Sequence, residues 1–412
     1  MKTISYKWDI DDTRGFSWIF VDQSSNIWKA GVSWTVFFVF TICVPLLSHL
    51  AFQCSTCDYH HRRPYDLLVQ SSLSLLSSIS FISLSSFSRK YSLRRLLFLD
   101  KMSHLSDEVR HGYSHQLQRA IKFFCAFVIP CFIVNATYKI WWFISGAHQI
   151  PYITTAYLSH TIACILLLAS WLYRTSLFFL LCMLFKLTCS MQIFRLEDFA
   201  KVFENQGDVG LILMEHLAIR RTLRIISHRF RRFLLSTLIL VTASQFASLL
   251  VTTQNGSLVN ISTAGELALC STTLVSGLFI CLRTAAKITH KAQSVTSLAA
   301  KWHTCATVDS FDDMGPAASI TSETSSSSYL QMDSEEEEEE GEYDKLDNTK
   351  LVPIYKHTVS YQKRQALVTY LENNKAGITV YGFMLDRTYL HTIFALEMSL
   401  TLWLLNKTIG FS

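Results

Sequence analysis

The sequence predicts an all-α polytopic membrane protein with seven transmembrane helices, its amino terminus cytoplasmic and its carboxy terminus extracellular. Three observations carry this. Seven stretches are apolar over the about 20 residues that a helix needs to cross a bilayer. Half of the 412 residues are hydrophobic and only 17% are charged, which suits a membrane bundle rather than a soluble fold. The segments around the stretches also alternate in Lys plus Arg, holding 4, 2, 7, 0, 9, 0, 9 and 1 from the amino end. One side thus carries 29 and the other 3, and the positive-inside rule puts the crowded side in the cytoplasm.

The spans read as Gly31 to Phe52, Asp66 to Phe87, Ile121 to Ser145, Tyr157 to Phe185, Phe233 to Gln254, Gly265 to Thr284 and Gly377 to Leu405. A polar head with Asp9, Asp11, Asp12 and Asp22 precedes the first, which is expected to act as a signal anchor. Serines punctuate the second from Ser71 to Ser86; a bilayer tolerates them where each packs on another helix or bonds its own backbone. Sequons at Asn255, Asn260 and Asn406 fall on the expected outer side, and one at Asn135 lies within a span.

On the inner side, charged amphipathic segments, Leu93 to Gln118 and Leu196 to Arg232, extend several helices into the cytoplasm. In the second, Leu217, Ile219, Leu223, Ile226, Phe230 and Leu234 recur near helical spacing, as expected of helices packing on one another beneath the bilayer. The sixth span runs on through Lys287, His290, Lys291 and Trp302. Residues 310–350 then turn Ser/Thr-rich and strongly acidic, with Glu335 to Glu340 in one run. Such a segment buries too little apolar surface to offset its ordering entropy and reads as a disordered linker. A short helix from Gln362 to Asn373 leads back to the last span. The expected organisation is a cytoplasmic segment 1–30, a six-helix bundle 31–309, the acidic linker 310–350, and 351–412 with the return helix and seventh span.

The net charge of +5 is accounted for by the inner loops, and no motif for nucleic acid accompanies it. No paired acid/base carboxylates, nucleophile motif or phosphate loop argue for an enzyme. Neither an internal repeat nor a set of broken helices argues for a secondary transporter, since Pro45 and Pro130 are the only prolines within spans. No cofactor is implied. Most of the eleven cysteines lie in spans or on the cytoplasmic side, so an extracellular disulfide framework is not expected. Cys54 and Cys57, with His60 and His61 in the first outer loop, are the weak metal candidates; plain thiols, a local disulfide and a metal site stay open, in that order.

Two ionisable residues lie deep in spans, Arg174 and Glu397. Each should face the bundle, a partner or water. Counted inward along their helices they sit roughly 26 Å and roughly 12 Å from the outer end, a separation that disfavours a direct pair and lets Arg174 snorkel to the inner surface. Glu397 reads as buried among polar groups or as lining a gating element. Lys139, near an outer end, is expected to snorkel beside Trp141 and Trp142.

The stretches Cys54 to Asp66, Lys139 to Trp142, Arg224 to His228 and Gly377 to Phe383 resemble those of the plant gustatory-receptor-like proteins, over nearly the whole chain. The last span, Gly382 to Asn406, is similar at a greater distance to the seventh helix of insect gustatory and odorant receptors, which ends in Thr-Tyr, five apolar residues and Gln-Phe. Two registers compete: Thr388-Tyr389 by letter, or Ser399-Leu400 with Asn406 at Gln. The second ends the helix at the membrane surface and is preferred. The resemblance implies a homotetrameric ligand-gated channel, with Ser399, Trp403 and Asn406 facing the pore axis. Trp403 and Lys407 depart from the expected pore chemistry. A small-molecule pocket is expected in the outer half, from residues such as Phe132, Tyr138, His160 and Leu269. Membrane lipid is the other expected partner, and plasma membrane precedes endomembranes as the location. The alternative is a non-channel membrane sensor or scaffold acting through the cytoplasmic loops.

Overall fold

A computed structural model describes residues 27–52, 63–91, 107–145, 156–205, 209–254, 261–312 and 361–409. The amino-terminal head, Cys54, Cys57, His60, His61, the sequons at Asn255 and Asn260 and nearly all of the acidic linker lie outside the described residues. The elements run α1 (Ile27–Phe38), a π-helical turn (Val39–Cys43), α2 (Val44–Ala51), α3 (Asp66–Tyr91), α4 (Asp107–Ser145), α5 (Ala156–Asn205), α6 (Val209–Gln254), α7 (Ile261–Asp312), α8 (Tyr361–Asn373), strands β1 (Thr379–Val380) and β2 (Phe383–Met384), and α9 (Arg387–Ile409). Seven helical segments are long and apolar enough to cross a membrane: Ala30–Ala51, Asp66–Phe87, Gln118–Ser145, Leu158–Lys201, Val209–Thr253, Ala264–Thr304 and Arg387–Thr408. The fold class is therefore all-α with seven candidate spans. Three of them, at 41 to 45 residues, are about twice the length a bilayer needs, as expected of helices that continue beyond it.

The chain divides into two compact units, one of Met1–Thr188, Phe230–Thr284 and Thr388–Ser412, the other of Cys189–Arg229 and Ala285–Arg387. In the first, the π-helical turn precedes Pro45, which has no N–H to return to the carbonyl of Thr41. Backbone acceptors at this break are taken by hydroxyls of other helices. Ser74 Oγ donates to Thr41 O at 2.8 Å and Ser170 Oγ to Phe40 O at 2.6 Å. This gives the serine-rich second span a physical reason. Ser72 meets Ser244 of α6 at 2.9 Å, while Ser78 and Ser80 donate to carbonyls one turn back. Each interhelical bond is worth about 0.6 kcal/mol, at most about 1.7 kcal/mol, in a membrane, so a Ser74→Ala/Ser170→Ala double variant should lower thermal stability in detergent measurably without abolishing folding. Close packing is stricter at Gly277, where a Cβ would run into the ring of Phe178. Gly277→Val should therefore cost about 1–3 kcal/mol by overpacking, read as a lower unfolding midpoint.

The second unit is built on buried Phe199, Ile212, Ile219, Leu223, Ile226, Leu298, Trp302, Leu367 and Leu371. The predicted stripe is buried from Ile219 through Leu223, Ile226 and Phe230 to Leu234, but Leu217 is exposed; the buried neighbour is His216, edge-on to Tyr370 of α8. Glu197 meets the buried Lys291 at 3.1 Å, and Arg220 donates to Asn374 Oδ1 at 2.8 Å. The expected start of the last span at Gly377 is corrected here. Tyr381 and Gly382 both have positive φ, 50° and 93°, and make the two-residue turn of a hairpin in which Val380 pairs with Phe383. A helix cannot run through two left-handed residues, so the spanning helix begins at Arg387. Asp386 accepts the Arg387 N–H at 2.7 Å.

Candidate functional site

At one end of the first unit, the ends of α2 and α4 meet the starts of α3, α5 and α7. The charged residues there have turned inward. Lys139 of α4 is 1% exposed and donates to Glu266 Oε1 of α7 at 2.6 Å. This overturns the expectation that Lys139 snorkels: with a carboxylate on the neighbouring helix, the ammonium is paired inside the bundle. Glu266 has no counterpart among the residues singled out in the sequence, because one acid at a span end reads as a boundary residue. Asp66, opening α3, is also buried; it accepts from Gln70 Nε2 at 3.1 Å and lies 3.3 Å from His49 Nδ1. Arg63 completes the cluster, its guanidinium 3.7 Å from the centre of the Trp142 ring.

The network continues through Gln70 to Arg174. Arg174 is 2% exposed and donates to Gln70 Oε1 at 2.7 Å, to Ser74 Oγ at 3.2 Å and to the Gln70 and Ser170 carbonyls, each at 3.3 Å. It therefore faces the bundle, and the snorkelling expectation is withdrawn. The reason lies in the stagger of the helices. Arg174 stands 18 residues into α5, about 27 Å along it, whereas its partner Gln70 is in the second turn of α3. Depth counted along one helix does not carry over to its neighbour. Glu397 is separate from this network: it is 1% exposed and accepts from Thr242 Oγ1 of α6 at 2.5 Å, and its other oxygen has no hydrogen-bond partner among the described residues.

Between Arg63, Tyr65, Asp66, Val69, Tyr138, Glu266 and Leu267 lies a small cavity with room for about one water molecule. Of the four residues expected to line a ligand pocket, Tyr138 is in its wall. Phe132 instead packs on Trp171 and His160 on Phe143, and neither they nor Leu269 belong to the lining. Among the described residues no group of His, Cys, Asp and Glu converges as a metal site.

Along α9, Glu397, Thr401, Leu404 and Thr408 are buried, with Ser399, Trp403 and Asn406 on the exposed side. Thr388, Thr392 and Ala395 continue that exposed stripe, and Thr392 Oγ1 donates to the Thr388 carbonyl at 3.0 Å.

The stretches that carry the family resemblance meet in pairs. Arg63 of one lies against Trp142 of another, and Asp66 of the first is close to Lys139. In the second unit Ser227 Oγ accepts from the Thr379 N–H at 3.1 Å, joining the other two.

No curated protein matches the sequence. Among solved structures the chain is similar to the insect olfactory receptor OR5 from Machilis hrabei in complex with eugenol, at 14% identity and a TM-score of 0.45, covering 93% of this chain and 91% of that one. Residues 13–396 match the profile of the family described as Protein of unknown function (DUF3537), and the chain belongs to that family.

Proposed function

We propose that the chain is a chemoreceptor-like membrane protein of the plant gustatory-receptor-like kind. In this reading it is a homotetrameric, ligand-gated ion channel with a cytoplasmic amino terminus, assembled around the uncovered face of α9 and placed in the plasma membrane. The observation that carries the reading is the two-faced last span. Only 17% of its most apolar stretch is buried within the chain, as in the third span and against 72% for the fourth and sixth; what sets it apart is that its uncovered side bears Thr388, Thr392, Ser399 and Asn406. A polar stripe facing lipid is unfavourable, and facing copies of itself or water relieves the cost. The ligand in this reading is a small molecule taken in the outer half of the first six spans.

The full chain in lipid nanodiscs should assemble as a fourfold particle, and in liposomes it should pass monovalent cations when an agonist is added. Trp403→Ala should raise that flux and Asn406→Leu lower it. A monomer in lipid that passes no ions under a broad chemical screen would overturn the channel. Trp403, standing on the uncovered face, favours a second reading, a non-conducting sensor acting through its cytoplasmic loops. Deleting residues 310–350 would then remove partner binding while leaving assembly intact.

A further inference from the structure

We infer that the chain carries a binding site for an acidic phospholipid, where Arg119 and Lys122 of α4 and Lys186 of α5 surround the exposed ring of Phe123 at the membrane surface. The site goes beyond the channel reading and needs only that the chain is embedded in a bilayer.

The sequence starts the third span at Ile121 and ends the fourth at Phe185, each from its own composition. The structure puts those two boundaries side by side. Phe124 and Phe127 of α4 pack on Phe179 of α5, with ring centres 6.5 Å and 5.1 Å apart, and the Lys186 ammonium lies 5.2 Å from the centre of the Phe123 ring. Two span ends that meet at one level mark where hydrocarbon gives way to headgroups.

The groups at that level are cationic and turned outward. Arg119 and Lys122 are exposed about one turn apart. Phe123, 46% exposed, shares their face, since four residues carry a helix only about 40° past a full turn from Arg119. Along α5, every residue from Arg174 to Thr188 is buried except Lys186, so that side chain is where this part of the helix reaches the surface. No Asp or Glu occurs between Glu108 and Glu197, and neither helix supplies an anion within about three turns of the cluster. A zwitterionic headgroup such as phosphocholine brings a cation that these residues repel, whereas an acidic headgroup brings none.

The guanidinium fork of Arg119 matches two oxygens of a phosphate, and the two ammoniums act as point charges beside it. Phe123 stands one turn deeper along α4 than Arg119, where its ring meets the first methylenes of the acyl chains. A free phosphate ion would gain the charges without that contact, which favours a lipid over a soluble anion. With the amino terminus in the cytoplasm, the site faces the leaflet that is rich in acidic lipid.

The full chain is reconstituted in nanodiscs of phosphatidylcholine with a minor share of phosphatidic acid, and the lipids it keeps on release are counted by native mass spectrometry. The unaltered protein should keep phosphatidic acid in preference to phosphatidylcholine. At about fivefold for each basic residue near a bilayer surface, Arg119→Gln with Lys122→Gln should weaken retention about 25-fold, and adding Lys186→Gln about a hundredfold. The double variant changes exposed residues alone, so it decides should the triple variant not fold. A charge-matched control, Arg221→Gln with Arg224→Gln and Lys363→Gln, removes three exposed cations of the second unit and should keep the lipid. Equal retention of the two lipids, retention that survives in the double variant, or an equal loss in the control overturns the site. Displacement of the lipid by glycerol phosphate at matched concentration also overturns it, since the occupant would then be a soluble anion. A tetramer that conducts ions but shows no lipid preference would leave the channel standing without the site. Phosphatidic acid held through Arg119 and Lys122 by a protein that passes no ions would leave the site standing without the channel.

Discussion

Lys139→Ala is expected to destabilise the protein by about 3–5 kcal/mol, because it leaves the Glu266 carboxylate inside the bundle without its cation. The two side chains are 2% and 9% exposed and meet at 2.6 Å, so bulk water does not replace the lost partner. A buried pair and a buried lone charge differ in kind. Removing both charges with shape kept, as in Lys139→Met with Glu266→Gln, takes away the attraction and the desolvation penalty together, and such replacements are often neutral. The double variant should therefore unfold close to the native temperature, while Lys139→Met alone and Glu266→Gln alone both fall well below it. Thermal unfolding of the four proteins in one detergent gives the coupling directly. If the two single losses simply add, the pair contributes nothing beyond its separate contacts and the ionic cluster is not a structural unit.

The spans were legible because bilayer length and composition constrain each one independently of its neighbours. The second span begins and ends where the sequence puts it, at Asp66 and Phe87. The seventh begins ten residues later than its apolar stretch suggests, because apolar Ile378, Val380 and Phe383 fill a two-stranded hairpin as readily as a helix. Gly382 was the available warning, since a glycine ahead of a span offers the positive φ that a turn requires. Arg174 and Glu397 were visible as charges in apolar surroundings, yet their partners were not. Gln70 and Thr242 are ordinary polar residues, and pairing across helices depends on stagger and rotation that no single segment encodes. The same limit hid Glu266. An acid at one span end and a lysine near another look like boundary residues until the helices are placed side by side. Lys139 and Asp66 lie in two of the four stretches that carry the family resemblance, whereas Glu266, which binds Lys139, lies in none of them.

Gln70→Leu should be more damaging than removing the charge that Gln70 holds. Arg174 meets no carboxylate through any of the hydrogen bonds it donates; its shortest, 2.7 Å, goes to the amide oxygen of Gln70, whose Nε2 in turn donates to Asp66. Gln70→Leu therefore leaves a buried guanidinium with three longer bonds and takes a donor from a buried carboxylate, an expected loss of about 3–5 kcal/mol. Arg174→Met removes the cation itself and leaves one amide oxygen unanswered, about 1–3 kcal/mol. Combining Arg174→Met with Gln70→Leu should be milder than Gln70→Leu alone, the signature of residues that act as one network. Unfolding midpoints of the three variants in nanodiscs test the ranking. An Arg174 in contact with a water-filled path would instead keep its stability when Gln70 is lost, and Arg174→Met would change ion selectivity with little effect on the midpoint. The two outcomes separate a cation that organises the bundle from one that meets the permeating ion, and burial at 2% exposure places Arg174 with the first.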